Sequence, residues 1–404
     1  MEKIYILDRY ASARQHWLAW KNACSQPVQV VDDFDLDWRP PADAGVVVCI
    51  QHFRAPEVSI LRRIAAEQRV PVLIQADGIL EFRNTWERPD NPPGTIYQPV
   101  LGHKIACVGR SQVRVLEAWG NDGKCESVGI PRLDASNRDN RRPRGDEVWR
   151  VLVATAKCPA FTDEQRRLVV TSLIELKNWL DVNDRIDGRK VAVQWRLTDG
   201  LESEIALPSN SHSTPKINLM AQLAEVDAVV TTPSTLMLEA MWYGIPTAIL
   251  DYTNSPGYVA AAWSITAAAH FDRVMNELAN PPAPKRRLQE MLLHDSLECH
   301  GSAVGRMIRL IDEMVHCGRR CRERGVPLQL PYKIIPDEPS DHASTAGAPF
   351  FDAENAAAMR LEIEHLKKLV RCQTAELTSL RQRASESLPR KFARWFIGAR
   401  RSGK

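Results

Sequence analysis

No uninterrupted apolar run in the 404 residues approaches the roughly 18–20 that a helix needs to cross a bilayer. The opening Met1-Glu2-Lys3-Ile4-Tyr5-Ile6-Leu7-Asp8 lacks the cleavage region of a signal peptide and reads as a strand, which predicts a cytoplasmic location. The 9 cysteines are odd in number and scattered, which argues against a secreted disulfide framework. No pair has C-x2-C spacing, so Cys299-His300, His316, Cys317 and Cys321 read as isolated groups on or under a helix rather than a metal site. A formal net charge of +3 is too small for a nucleic-acid surface.

What is present suits a globular protein: 44% hydrophobic residues and 25% charged, in a length that fits two domains and an appendage. Short apolar, β-branched runs at 3–7, 28–31, 45–50, 70–75, 105–108 and 125–128 alternate with helical stretches at 11–22, 57–68 and 111–119. Continuously apolar strands between helices predict a parallel sheet buried on both faces. Asn137–Glu147 has no apolar residue and reads as a linker. The alternation then restarts, with strands at 148–155, 191–196, 228–232 and 247–250. Thr162 and Gln165 form a capping box opening a helix over 162–182, and helices are expected at 217–223 and 235–243. Further helices at 271–279, 284–293 and 303–322 are expected to close the second sheet. The reading is an α/β protein of two Rossmann-like, doubly wound parallel-sheet domains facing a cleft, over 1–140 and 146–326.

Residues 327–352 read as a Pro- and Ser-containing tether. Over 353–386, Met359, Ile363, Leu366, Val370, Gln373, Leu377, Leu380 and Ala384 recur at alternating spacings of four and three, a heptad seam that predicts a coiled-coil helix and a homo-oligomer. The last segment, 387–404, sets Leu388, Phe392, Trp395 and Phe396 among Arg390, Lys391, Arg394, Arg400 and Arg401. Such a basic amphipathic tail suits an anionic membrane surface.

The densest chemistry lies in the second domain. A strand ends in Thr231-Thr232-Pro233, a helix opens at Ser234-Thr235, Glu239 follows about a turn later, and Gly244-Ile245-Pro246 returns the chain to a strand. Exposed backbone N–H groups, the helix dipole and two hydroxyls favour a phosphate there, and Glu239 is placed to accept from ribose hydroxyls. With Asp227 ahead of the strand, this segment resembles the donor site of GT-B glycosyltransferases and of the related UDP-N-acetylglucosamine 2-epimerases. The resemblance implies that Pro233, Ser234, Thr235 and Glu239 bind the nucleotide. It also places a basic residue, Arg196, near the diphosphate, with Lys157 facing the same region and Ser209-Asn210-Ser211-His212 near the base. Asp251–Tyr258 adjoins the site only by proximity.

In the first domain, Gln75-Ala76-Asp77-Gly78-Ile79-Leu80-Glu81-Phe82-Arg83-Asn84 follows a strand and is similar to a loop of bacterial capsule and surface-polysaccharide transferases. Gly129-Ile130-Pro131-Arg132-Leu133-Asp134 is similar to an element of polysaccharide and teichoic-acid-type GT-B enzymes, including glycerophosphotransferases. An inverting transferase needs a base to deprotonate its acceptor hydroxyl. Asp77 is the first candidate and Glu81 the second, with His52 and Asp8 behind them. No Asp-x-Asp pair stands in a loop suited to a metal, so metal-independent chemistry without a cofactor is expected, the nucleotide sugar being a co-substrate. The implied function is sugar transfer from a nucleotide donor to a lipid-linked or growing surface polysaccharide at the inner face of the cell membrane. The alternatives are a UDP-N-acetylglucosamine 2-epimerase-like enzyme, a glycerophosphotransferase, or an inactive scaffold serving the coiled coil.

Overall fold

The computed structural model describes residues 2–10, 13–50, 52–90, 97–136, 147–208, 218–336 and scattered positions between 367 and 379. The chain divides into two units, Met1–Ala346 and Gly347–Lys404. The larger holds two six-stranded sheets.

The first sheet comprises β1 (Lys3–Leu7), β2 (Val28–Val31), β3 (Ala44–Cys49), β4 (Val72–Gln75), β5 (Lys104–Cys107) and β6 (Cys125–Ser127), in the spatial order β2-β1-β3-β4-β5-β6. All its pairings are parallel. Between the strands run α1 (Arg14–Lys21), α2 (Ala55–Glu67) and α3 (Arg110–Ala118). Every residue of β3, β4 and β5 is buried, as strands covered on both faces require.

The second sheet has the order β12-β11-β10-β7-β9-β8, formed by β7 (Val148–Ala154), β8 (Arg185–Ile186), β9 (Arg189–Arg196), β10 (Ala228–Thr231), β11 (Thr247–Leu250) and β12 (Trp263–Ile265). It is parallel except where β8 turns back on β9. Its helices are α4 (Asp163–Val182), α5 (Leu201–Glu204), α6 (Leu219–Glu225), α7 (Thr235–Trp242), α8 (Phe271–Ala279) and α9 (Ala283–Ser296). Thr162 caps α4 by accepting from the Gln165 backbone N–H, and Gln165 returns a bond to Phe161 N. The two α/β domains with parallel-rich sheets read from the sequence are the ones observed.

Two segments differ from expectation. The helix expected at 303–322, α10 (Ala303–Glu323), does not close the second sheet. Its Met307, Leu310, Ile311, Met314 and Val315 lie in one core with Ile4, Ile6, Val46 and Val48 of the first. Its apolar stripe would serve either sheet equally, and the pattern alone cannot assign it. The start of the expected tether is likewise held to the first sheet. Leu328 N donates to Gln68 O, and the backbone N–H groups of Ile334 and Ile335 donate to the two oxygens of buried Glu126. Glu126 also pairs with buried Lys104 at 2.6 Å.

In the smaller unit the described residues between 367 and 379 are helical, and the seam residues Val370 and Leu377 are exposed. The rest of the expected coiled coil and the basic tail at 387–404 lie outside the described residues. Among the described residues no helix is long and apolar enough to cross a membrane.

Candidate active site

Strand order reverses in the second sheet between β7 and β10, because the chain passes from β7 to β9 on one side and then to β10 on the other. Ligands of open α/β sheets bind outside the carboxyl ends of the strands at such a point. The loops that emerge there carry Lys157 and Thr232–Thr235, and they are tied together by Ala156 N donating to Thr232 Oγ1 at 2.7 Å. Ser234 is the N-cap of α7 in an extended conformation, its hydroxyl 3.1 Å from that of Thr231. Pro233, Ser234 and Thr235 are half-buried, and Lys157 is exposed. Gly244 ends α7 at φ 67, a left-handed position that suits glycine, with Ile245 N returning to Ala240 O.

The first domain meets this helix directly. Ile79 N donates to Thr235 Oγ1 at 3.2 Å, and a Cβ at Gly78 would stand 2.0 Å from that oxygen. Only a residue without a side chain lets the loop after β4 approach so closely. Gln112 fixes the same loop, donating to Gly78 O while accepting from Val108 N. Behind it, Met237, Leu238 and Met241 of α7 share an apolar core with Val108, Ile130 and Leu133. The two elements singled out in the sequence, 75–84 and 226–246, are therefore in contact.

Glu239 is buried and receives both Nε and Nη2 of Arg132, at 2.9 and 2.7 Å. Arg132 Nη1 stands 3.3 Å from His16 Nδ1. A guanidinium only donates, so this nitrogen accepts. Burial, with the Arg132 and Lys157 charges, holds the His16 pKa down at about 3. Arg196 donates to Gln222 at 2.7 Å; burial lowers its pKa while the Glu239 charge opposes that shift. The cleft thus gathers three cations, Arg132, Lys157 and Arg196, around one carboxylate and a neutral imidazole. His16 had no signal in the sequence, being one histidine in an ordinary amphipathic helix. Arg132 was visible only as part of a short motif.

Among the base candidates, Glu81 pairs with Arg83, which is buried and also donates to Pro159 O of the second domain at 3.3 Å. Burial pushes the Glu81 carboxyl up to about 7, against the Arg83 charge, with Asp251 and Glu87 adding to the rise. Asp77 is exposed at the same loop, and its charge bears on the buried Tyr97 hydroxyl. His52 is buried against Phe53 and Tyr97, has no partner for Nδ1 and is held neutral by burial at about 4. Asp8 has both oxygens engaged, by Trp17 Nε1 at 2.5 Å and Tyr10 N at 2.9 Å. Asp227 precedes β10, at the amino edge of the sheet away from the cleft loops, and its carboxylate accepts from Arg150 N. Ser209–His212 falls outside the described residues. Tyr258 reaches the first domain, accepting from Trp86 Nε1 at 2.8 Å and lying edge-on to Trp119. Among the described residues no group of three or more His, Cys, Asp or Glu could hold a metal ion.

No family model matches the sequence, and no curated protein matches it. Solved structures do. The S. aureus MnaA–UDP co-structure superposes with a TM-score of 0.53 at 11% identity, covering 78% of this chain and 97% of that one. The wall teichoic acid polymerase TagF gives 0.51 at 11%, over 80% and 89%. A putative UDP-N-acetylglucosamine 2-epimerase from Listeria monocytogenes gives 0.51 at 10%, over 81% and 98%. At such identities the likeness is one of fold alone, and with the two parallel-rich sheets it shows that the chain has the GT-B fold.

Proposed function

We propose that the chain is a glycosyltransferase that moves a sugar from a nucleotide-sugar donor to a lipid-linked or growing surface-polysaccharide acceptor. One observation carries this reading: the acidic loop after β4 touches the amino end of α7 through Ile79 and Thr235. That contact supports a reading in which a carboxylate that can take a proton and a helix end that can take a phosphate serve the same cleft. Glu81, with a pKa of about 7, is the better matched base at neutral pH, and Asp77 is the alternative. In the reaction the base removes the acceptor hydroxyl proton, the oxygen bonds to the anomeric carbon, and the bond to the diphosphate breaks. Lys157, Arg196 and the α7 amino end receive the charge of the leaving nucleoside diphosphate. Glu239 accepts from the ribose. With this cationic wall, activity should survive EDTA treatment. The basic tail at 387–404 would hold the enzyme on an anionic membrane face where such acceptors are anchored, and the coiled coil would pair copies.

A second reading, 2-epimerisation of a UDP-N-acetylhexosamine, is favoured by coverage. The alignment takes in 98% of the Listeria putative UDP-N-acetylglucosamine 2-epimerase, against 89% of TagF. Incubation with a panel of sugar nucleotides, with and without acceptor-bearing membranes, separates the two. Transfer releases nucleoside diphosphate only when acceptor is present. Epimerisation gives a C2-inverted sugar nucleotide, visible by proton NMR, without any acceptor. Neither product, under conditions where the folded protein is intact, would leave only the scaffold.

A further inference from the structure

Away from the nucleotide cleft, a cavity of about 380 Å³ lies where the chain crosses back from the second domain to the first. That volume is in the range of small-molecule sites. Ile130, Leu133, Trp242 and Leu297 supply apolar wall, and Cys299 opens onto it. The crossing is tightly fixed. Glu298 N donates to Val108 O at 2.9 Å, and a Cβ at Gly129 would stand 2.3 Å from Glu298 O.

Cys299 is a half-buried thiol, outside any disulfide, with Sγ 3.4 Å from His294 Nδ1. His294 lies in the last turn of α9, at the negative end of the helix dipole. Its ring stacks on His300 at 5.2 Å, and His300 Nδ1 is 3.0 Å from Glu298. Arg306 donates to the carbonyls of Glu298 and His300, and Arg110 stands 3.9 Å from the Glu298 carboxylate. Asp134 turns its oxygens to Ser302 and the first N–H groups of α10. A cysteine within reach of an imidazole can pass its proton to the ring, and the thiolate is the nucleophile.

We propose that Cys299 and His294 form a thiolate–imidazolium pair that reacts with low-molecular-weight disulfides, the adduct lodging in the adjoining cavity. The Cys299 sulfur attacks one sulfur of the disulfide. A new S–S bond forms, the original one breaks, and the departing thiolate takes the proton from His294. Cys299 is oxidised and the released half of the reagent is reduced, so the disulfide is itself the oxidant. The apolar wall selects neutral, aromatic or aliphatic disulfides over highly charged ones.

The test uses the full chain and 4,4′-dithiodipyridine at less than one equivalent, with peptide mass spectrometry to locate the adduct. Cys299 should be modified about tenfold faster than the exposed Cys158 at pH 6.5, and its rate should stay nearly flat from pH 6 to 8. His294→Gln should lower the Cys299 rate about tenfold and restore a rate that rises with pH, while leaving the Cys158 rate unchanged as a check on folding. Preferential modification of Cys158, or a wild-type Cys299 rate that climbs tenfold per pH unit like an ordinary thiol, overturns the proposal. The wild-type pH profile decides the matter even if the His294 variant fails to fold, and none of these readouts depends on the transferase reading.

Discussion

Glu239 and Arg132 stand 107 residues apart and meet across the cleft with bonds of 2.7 and 2.9 Å. The helix spacing proposed Glu239 as a ribose acceptor, but nothing in the sequence indicates which cation the buried carboxylate pairs with. The pairing changes what substitution does. Glu239→Ala removes an acceptor from the ribose and also strands a mostly buried guanidinium, so it should weaken nucleotide binding at least ~10-fold and lower stability by roughly 1–3 kcal/mol. Arg132→Ala should cost stability too, and the double substitution less than the sum of the singles, measured by urea unfolding. Additive losses would show that the pair is not coupled. At Glu81 the prediction concerns pH. Its carboxyl is held at about 7, so a base there is protonated and inactive below that value and kcat/KM should rise through pH 7. Glu81→Gln should lower kcat by about 100-fold or more and abolish that limb, whereas retention of the limb in the Glu81 variant would point to another base.

Helix α7 is the element on which the site turns. Its amino end is the proposed phosphate site, and Met237, Leu238 and Met241 bind it to the first domain's core. Its existence and its stop at Gly244 follow from local sequence, as do most strands, because apolar runs bounded by turn residues are local signals. The loop against it followed only in part. Gly78 reads as a turn residue, yet its importance is the 2.0 Å approach that a Cβ would make to Thr235 Oγ1, a tertiary fact. Gly78→Ala should therefore reduce nucleotide affinity and turnover together, by about 10-fold. Adding Thr235→Ala in the same chain should restore loop packing, read as a recovered melting temperature. Failure of the second change to recover any stability would locate the damage elsewhere. The same limit explains α10, whose amphipathic stripe was legible while the sheet it covers was not.

Among the described residues, the buried His16 and His52 and the half-buried His103 are held in their neutral form. His16 is held at about 3, and His52 and His103 at about 4, each first by burial and against an ordinary 6.5. A base whose folded pKa is depressed contributes stability that is present above its unfolded pKa and lost as pH falls. The unfolded chain gains protons below pH 6.5 that the folded one refuses until about 4 or 3. Stability should fall on acidification across pH 6.5 to 4 by on the order of 1 kcal/mol per pH unit for each such histidine. Chemical denaturation at pH 7, 6, 5 and 4 measures it, and a midpoint constant across that range would contradict the burial of these rings. The two-sheet organisation was legible because β-α alternation repeats around an apolar-free linker. The contacts that close the cleft were not, since they join residues from Ile79 to Thr235 and from Trp86 to Tyr258 that no local pattern connects.

The central claim is that the cleft between these sheets binds a nucleoside diphosphate at the amino end of α7. Thermal-shift titration of the full chain with UDP, GDP, CMP, CDP and ADP tests it directly. At 100 times its dissociation constant a ligand adds about 2.7 kcal/mol, so at least one of these should raise the melting temperature by several degrees, and Glu239→Ala should lose most of that rise. No shift with any of the five, in a protein that unfolds cooperatively, would contradict the account.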